Sequence, residues 1–386
     1  HLVFLFVLTI SFSPAVGQEE PKILYVKDYG VAGDGVTDDG PAIRQAIDAA
    51  SAASPGVRLL FEPGMTCRMD AWQGNSHFSL TDVSDISIEG NDSHLILHPK
   101  NAAFNLTKCR NVKIKGFIIN YDPLPFTQGT IRAVDTVNGS FDLEIQKGYP
   151  LPPPHEIVEQ YSPRGWNWGS VMDPVEKHRR WDVSMHYFIE SVKPLTGRKY
   201  RVKVTDPYVE NLKPVIPGDR FAFSFMVTDE GERILGSIIG VHESSDCTIE
   251  NIIIHTARYG MNYAVTRNEG KLFFRNNKIM FEKGTTHLIT THKDGMHCKD
   301  NSYGPVIENC YFEGMLDDGI NIGANTAMAT KVHSKTEFSL KGPSFNVGDK
   351  VMVFDPVSGN IMAETKVTEA SGTRIHLADP VNNVIT

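Results

Sequence analysis

The chain has 386 residues, 41% of them hydrophobic and 22% charged, with a formal net charge of -8. That composition suits a soluble globular protein large enough to bury a sizeable core. The acidic balance excludes a nucleic-acid surface, and the short run His178-Arg179-Arg180 reads as a solvated loop.

The first residues, through "LVFLFVLTISFSPAVG", form a short apolar run ending in small residues, with Ala15 and Gly17 before Gln18. This reads as a secretory signal peptide over residues 1–17 whose basic start is missing, not as a membrane span. The mature chain is therefore expected outside the cytoplasm, secreted or periplasmic, with no membrane span. The five cysteines (67, 109, 247, 298, 310) are too few and too scattered for a disulfide framework or a zinc site, and read as buried thiols.

Next comes "VKDYGVAGDGVTDDGPAIRQAIDAA" (26–50), a turn-rich loop leading into an amphipathic helix. Asp38 or Asp39 is placed to N-cap it, and Ala42, Ile43, Ala46 and Ile47 share one face. Such a helix would cap the open end of a coil. A calcium loop is the other use for these acids, but the spacing departs from the EF-hand pattern.

Five segments then repeat an apolar residue, a charged residue and Gly or Asn. They end at Gly90, Gly116, Asn251, Asn276 and Asn309, as in "VKIKG" and "PVIEN". Steps of about 25 residues, with β-branched runs and Asn or Gly at the bends, predict an all-β solenoid over 18–122 and 236–328. The long gap between Gly116 and Asn251 holds an insert over 123–235. Its alternating strands and its Asn-Gly and Pro-Gly turns predict a small antiparallel β-barrel. A similar "VGDKVMVF" (347–354) places a second barrel-like module over 329–386, with the chain expected to continue beyond it.

The chemistry concentrates in "THKDGMHCKD" and "LDDGINI". Asp294 and Asp317 lie 23 residues apart, about one turn of the coil. Residues one turn apart stack roughly 4.8 Å apart, so Asp294 should lie beside the Asp317–Asp318 pair. Three clustered carboxylates repel one another and raise at least one pKa. That suits general acid/base work on a glycosidic bond, without a metal or other cofactor. The same oxygens could ligate calcium, and Asp-Gly alone is ordinary turn chemistry.

These residues carry a resemblance. "DYGVAGDGVTDD" followed by the helix resembles the N-terminal cap of the pectate-lyase-like superfamily of right-handed parallel β-helices. "DGMHCKDNSYGPVIENCYFEGMLDDGINI", with two barrel-like inserts, is similar to glycoside hydrolase family 110. Those are exo-acting α-1,3-galactosidases that remove terminal galactose from blood-group-B-type and linear glycans. The resemblance implies a glycan substrate and an inverting mechanism in which Asp317 is the acid and Asp294 and Asp318 hold the attacking water. Inversion calls for acid and base about 6.5–9.5 Å apart, and every pair near 5 Å would count against it. Substrate contacts are expected from His292 and His297, from Asn321, and from Arg258 and Tyr259 one coil earlier. Trp166 and Trp168 are candidate sugar-stacking platforms. A polygalacturonase-like hydrolase or polysaccharide lyase on the same scaffold is the second reading. A non-catalytic, tailspike-like carbohydrate-binding solenoid is the third.

Overall fold

The computed structural model describes residues 20–154, 167–227, 234, 236–342 and 344–382. The expected leader at 1–17 and Trp166 lie outside the described residues. The structure is mostly β, and two parallel sheets dominate it. In the first, the strands Val57–Leu60, Ile86–Leu97, Lys113–Tyr121, Thr248–Ile254, Phe273–Arg275 and Val306–Glu308 pair in that order. In the second, the order is Ser76–Thr81, Ala102–Thr107, Ile239–His242, Tyr263–Thr266, Met296–Lys299 and Ile320–Gly323. The chain visits the two sheets alternately, so each pass adds a rung to both.

The repeat read from the sequence is the register of the first sheet. Ile88, Ile114, Ile249 and Phe274 stack one above another, all buried. Each such side chain contributes about 1.5–3 kcal/mol relative to exposure. The Phe61, Phe78, Phe104 and Phe117 rings pack together in the same core. Gly116, Asn251, Asn276 and Asn309 all have positive φ, as the bends require. Gly90 does not. There Asn91 and Asp92 take the left-handed turn, while a Cβ on Gly90 would meet the Gly116 carbonyl oxygen at 2.4 Å. Glycine at 90 serves close approach of two rungs.

The helix forms over Gly40–Ala52 and buries Ile43, Ala46, Ile47 and Ala50 in the core shared with Val57 and Leu59. Asp39 occupies the N-cap position, yet its carboxylate accepts from the Ala32 and Gly33 amides and ties down the preceding loop. Asp38 is the acid that accepts from the Gly40 amide, at 3.0 Å.

The insert is a closed antiparallel barrel. Its strands run around the ring as Phe126–Asp135, Ser140–Ile145, Lys199–Val204, Tyr187–Pro194, Trp168–Met172 and Arg220–Ser224. Its apolar core takes in Tyr259, Leu288, Ile289 and Leu316 from the segments next to the parallel sheets, which packs the barrel against them. The second module is a five-stranded antiparallel sheet from Met328–Val332 to Lys350–Phe354, with Glu337–Lys341, Arg374–Leu377 and Ile361–Ser371 between. Among the described residues its buried apolar side chains are Phe338, Val367, Ile375, Leu377 and Val381, a small filling beside that of the first barrel. All five cysteines are free thiols, and all but Cys310 are buried. Among the described residues no helix is long and apolar enough to cross a membrane.

Candidate active site

The three aspartates sit where two neighbouring rungs enter the second sheet. Met296 pairs with Ile320, so two residues earlier Asp294 lies beside Asp318. The Gly295 amide donates to the Asp318 carbonyl at 2.9 Å and fixes that register. The step between rungs is thus one residue longer than the Asp294–Asp317 separation, and Asp317 stands just before the pair. A Cβ on Gly295 would come within 2.6 Å of the Gly319 carbonyl oxygen, so this glycine lets the rungs close up.

One carboxylate oxygen from each of Asp294, Asp317 and Asp318 lies within 4.8 Å of the others. Asp294 is buried, Asp317 half-buried and Asp318 exposed. His297 donates from Nδ1 to Asp294 Oδ2 at 2.5 Å. The Asn321 amide donates to Asp318 Oδ2 at 2.8 Å, and Lys299 Nζ in turn donates to Asn321 Oδ1 at 2.7 Å. Asp317 accepts no side-chain hydrogen bond among the described residues. Burial pushes its carboxyl above the usual carboxylate range. The Asp294 charge, and less strongly that of Asp318, adds to this, while His186 and Lys293 oppose it. Burial also lowers the Lys293 ammonium, with Asp294 and Asp317 working the other way.

The arrangement contains one carboxyl pushed toward its protonated form and two that are fixed by hydrogen bonds. It can donate a proton from one side and hold a water on the other. Three converging carboxylate oxygens are also a donor set that a hard cation accepts. The nearest-oxygen spacing is tighter than the wide two-carboxylate separation associated with inversion.

No family model matches the chain. Over 345 residues, 83% of its length, it is 26% identical to alpha-1,3-galactosidase B of Bacteroides thetaiotaomicron, covering 54% of that protein. It is 25% identical to alpha-1,3-galactosidase B of Akkermansia muciniphila over 78% of this chain and 38% of that protein. Four curated relatives carry the name alpha-1,3-galactosidase, and a 60-residue stretch, 13% of this chain, is 45% identical to mannuronan C5-epimerase AlgE1 of Azotobacter vinelandii. The chain spans about half the length of the curated galactosidases it matches. Among solved structures, an exopolygalacturonase from Thermotoga maritima aligns with 79% of this chain and 56% of its own at 14% identity, with a TM-score of 0.36.

Of the supporting residues read from the sequence, His297 and Asn321 reach the trio. The others do not. His292 is fully buried, with its ring 4.0 Å from Trp168 and 4.2 Å from Tyr259. That enclosure holds it well below the usual imidazole pKa, first through burial and then through Lys293 and His186. Trp168 is 5% exposed, between His292 and the His186 ring at 3.9 Å, so neither face is open to a sugar. Tyr259 is buried behind His292. Arg258 is turned away, donating to the Lys100 carbonyl at 2.9 Å. The sheet register explains this: Tyr263 pairs with Met296, which sets Met261, not Tyr259, in line with Asp294.

Sequence reasoning missed Lys293, Lys299, Arg179 and His186. The two lysines flank the acids in "HKDGMHCK" and were available to it. The other two come from the inserted barrel, and only the fold brings them close.

Proposed function

We propose that the chain carries the catalytic part of an exo-acting glycoside hydrolase that removes terminal α-1,3-linked galactose from glycans. Its scaffold in this reading is a right-handed parallel β-helix, capped at its first end by the helix Gly40–Ala52, and residues 1–17 direct its export. The observation that carries the reading is the convergence of three carboxylates, with Asp317 pushed by burial toward its protonated form. The named relatives support the choice of bond.

Asp317 donates its proton to the departing glycosidic oxygen. A water between Asp294 and Asp318 attacks the anomeric carbon from the opposite face and passes its proton to one of them. A single water accepted by two oxygens at about 2.8 Å each spans roughly 4.5 Å between them, which matches the observed convergence. The nearest oxygens of Asp317 and of this base pair also lie within 4.8 Å, closer than inversion calls for, so the spacing counts against inversion and the released anomer decides it. His297 and the Lys299–Asn321 relay hold that pair in place.

The test is to incubate the protein with linear and branched α-1,3-galactosyl oligosaccharides and follow the first-released anomer by NMR. β-Galactose is expected first. α-Galactose first would exclude inversion, and no galactose from any substrate would exclude the function.

The same convergence favours one other reading, a calcium-dependent lyase using the trio as ligands. Against it, the trio already has Lys293 and the His297 donor beside it. Loss of activity in EDTA with unsaturated products would select the lyase.

A further inference from the structure

His297 fixes Asp294 and Asn321 fixes Asp318, whereas the Asp317 carboxyl has no donor among the described residues. Its direction must come from its backbone. The residue before it, Leu316, is anchored on every side. Its amide donates to the Thr291 carbonyl at 3.2 Å. Its side chain is 1% exposed in the core shared with the barrel. Its carbonyl oxygen accepts from Arg179 Nη1 at 3.0 Å and from His186 Nε2 at 3.2 Å.

Both donors belong to the barrel, in the segment between Trp168–Met172 and Tyr187–Pro194. A carbonyl oxygen has two lone pairs, and here the barrel takes both. The peptide unit is planar, so fixing that oxygen fixes the plane from which the Asp317 Cα departs. His186 donates from Nε2 to this carbonyl, and burial lowers the pKa of its ring. Its own ring packs against Trp168, centroids 3.9 Å apart and tilted by 43°.

We propose that the inserted barrel orients the acid: Arg179 and His186 are positioning residues that aim Asp317 through the Leu316 carbonyl. This rests on the reading of Asp317 as the proton donor. It gives the barrel a part in the chemistry without contact with the sugar. The charged and titratable groups facing Asp317 are then Asp294, Asp318, Lys293 and His186, with Arg179 acting one peptide bond away.

The experiment compares Arg179→Met, Arg179→Lys, His186→Ala and His186→Gln on two substrates. One is an α-1,3-galactosyl disaccharide; the other is an aryl α-galactoside whose leaving group departs with little proton donation. Arg179→Met and His186→Ala should each lower kcat on the disaccharide about 10-fold or more, with KM within about two-fold, since misplaced catalytic groups cost rate first. The aryl substrate should lose far less, and His186→Gln, which keeps a donor near Nε2, should recover most of the disaccharide rate. Equal losses on both substrates, or losses confined to KM, would overturn the proposal. Should Arg179→Met or His186→Ala fail to fold, Arg179→Lys and His186→Gln decide on the same two substrates. If the wild type cleaves neither galactoside, the functional reading fails. The clamp is then judged by amide hydrogen exchange over residues 313–319, where unchanged protection in folded His186→Ala would refute it.

Discussion

Asp317→Asn should make the protein slower and more stable at once. The substitution keeps the shape of the side chain but removes the transferable proton and the charge. Positioned general acids contribute about 10²–10⁴-fold, or about 3–5 kcal/mol of barrier. A loss of that size is expected on galactosyl oligosaccharides, shrinking on aryl galactosides with good leaving groups. For stability, two unit charges 4.8 Å apart repel by about 3 kcal/mol at an effective dielectric near 20. Exposure of Asp318 screens its share, and Lys293 offsets part of the rest, leaving a relief of order 1 kcal/mol. In a chain of this size that corresponds to about 1 °C in Tm.

The signs follow from the direction of the shift. The folded-state pKa of Asp317 is raised, so its stabilising contribution is complete below the unfolded-state pKa and is lost as pH rises through the folded one. The stability gap between variant and wild type should therefore open above that folded-state pKa and close in acid. Wild-type kcat should fall through the same pKa as pH rises, because the protonated acid is the active form, and the variant should lack that limb. Calorimetry and kcat against pH on one set of buffers measure both. A variant that is slower yet no more stable at neutral pH, and whose kcat still falls along the wild-type limb, would refute the assignment of Asp317 as a strained acid.

Three further outcomes are expected. His297→Ala removes the donor that fixes Asp294 and should lower kcat on galactosyl substrates by about 10-fold, with His297→Gln retaining more. Trp168→Ala deletes a buried ring packed between two imidazoles and should cost about 3–5 kcal/mol in denaturant unfolding; a change only in sugar affinity would return Trp168 to the role of stacking platform. Asn276→Val forces a β-branched residue into φ 54° and should cost at least about 1–2 kcal/mol by the same measurement.

Much of this was legible in the sequence because the bends of a coil select residue types by backbone conformation. Asn251, Asn276 and Asn309 announce left-handed turns, and the β-branched runs beside them announce the rungs. The barrel declared itself through its turns. Asp294 and the doubled acid stood out because charge in an apolar strand needs a reason. What stayed hidden was whatever depends on register or on contacts across the chain. Counting from Asn251 set Tyr259 level with Asp317, and the ladder sets Gly260 there, one residue on. Trp168 read as an open platform because no local signal tells a buried indole from an exposed one. Leu316 and its two clamping donors are separated by 130 and 137 residues, a distance across which sequence pattern carries nothing.

The pairing of Met296–Lys299 with Ile320–Gly323 bears on how this site can vary among relatives. Between them, residues 300–305 form a connection outside both sheets, and Val306–Glu308 re-enters the ladder on Phe273–Arg275. Asp300, Asn301 and Ser302 are bonded to the neighbouring rungs, so residues gained or lost at 303–305 would change the interval between the two acid-bearing segments with least disturbance to the paired strands. A single insertion between Asp294 and Met296, by contrast, would carry the acid off its partner. Descent should therefore tolerate length changes at the first place and purge them at the second. A search for distant members of this lineage should weigh "DG" before one strand and "DDG" before the next, and let the number of residues between them float.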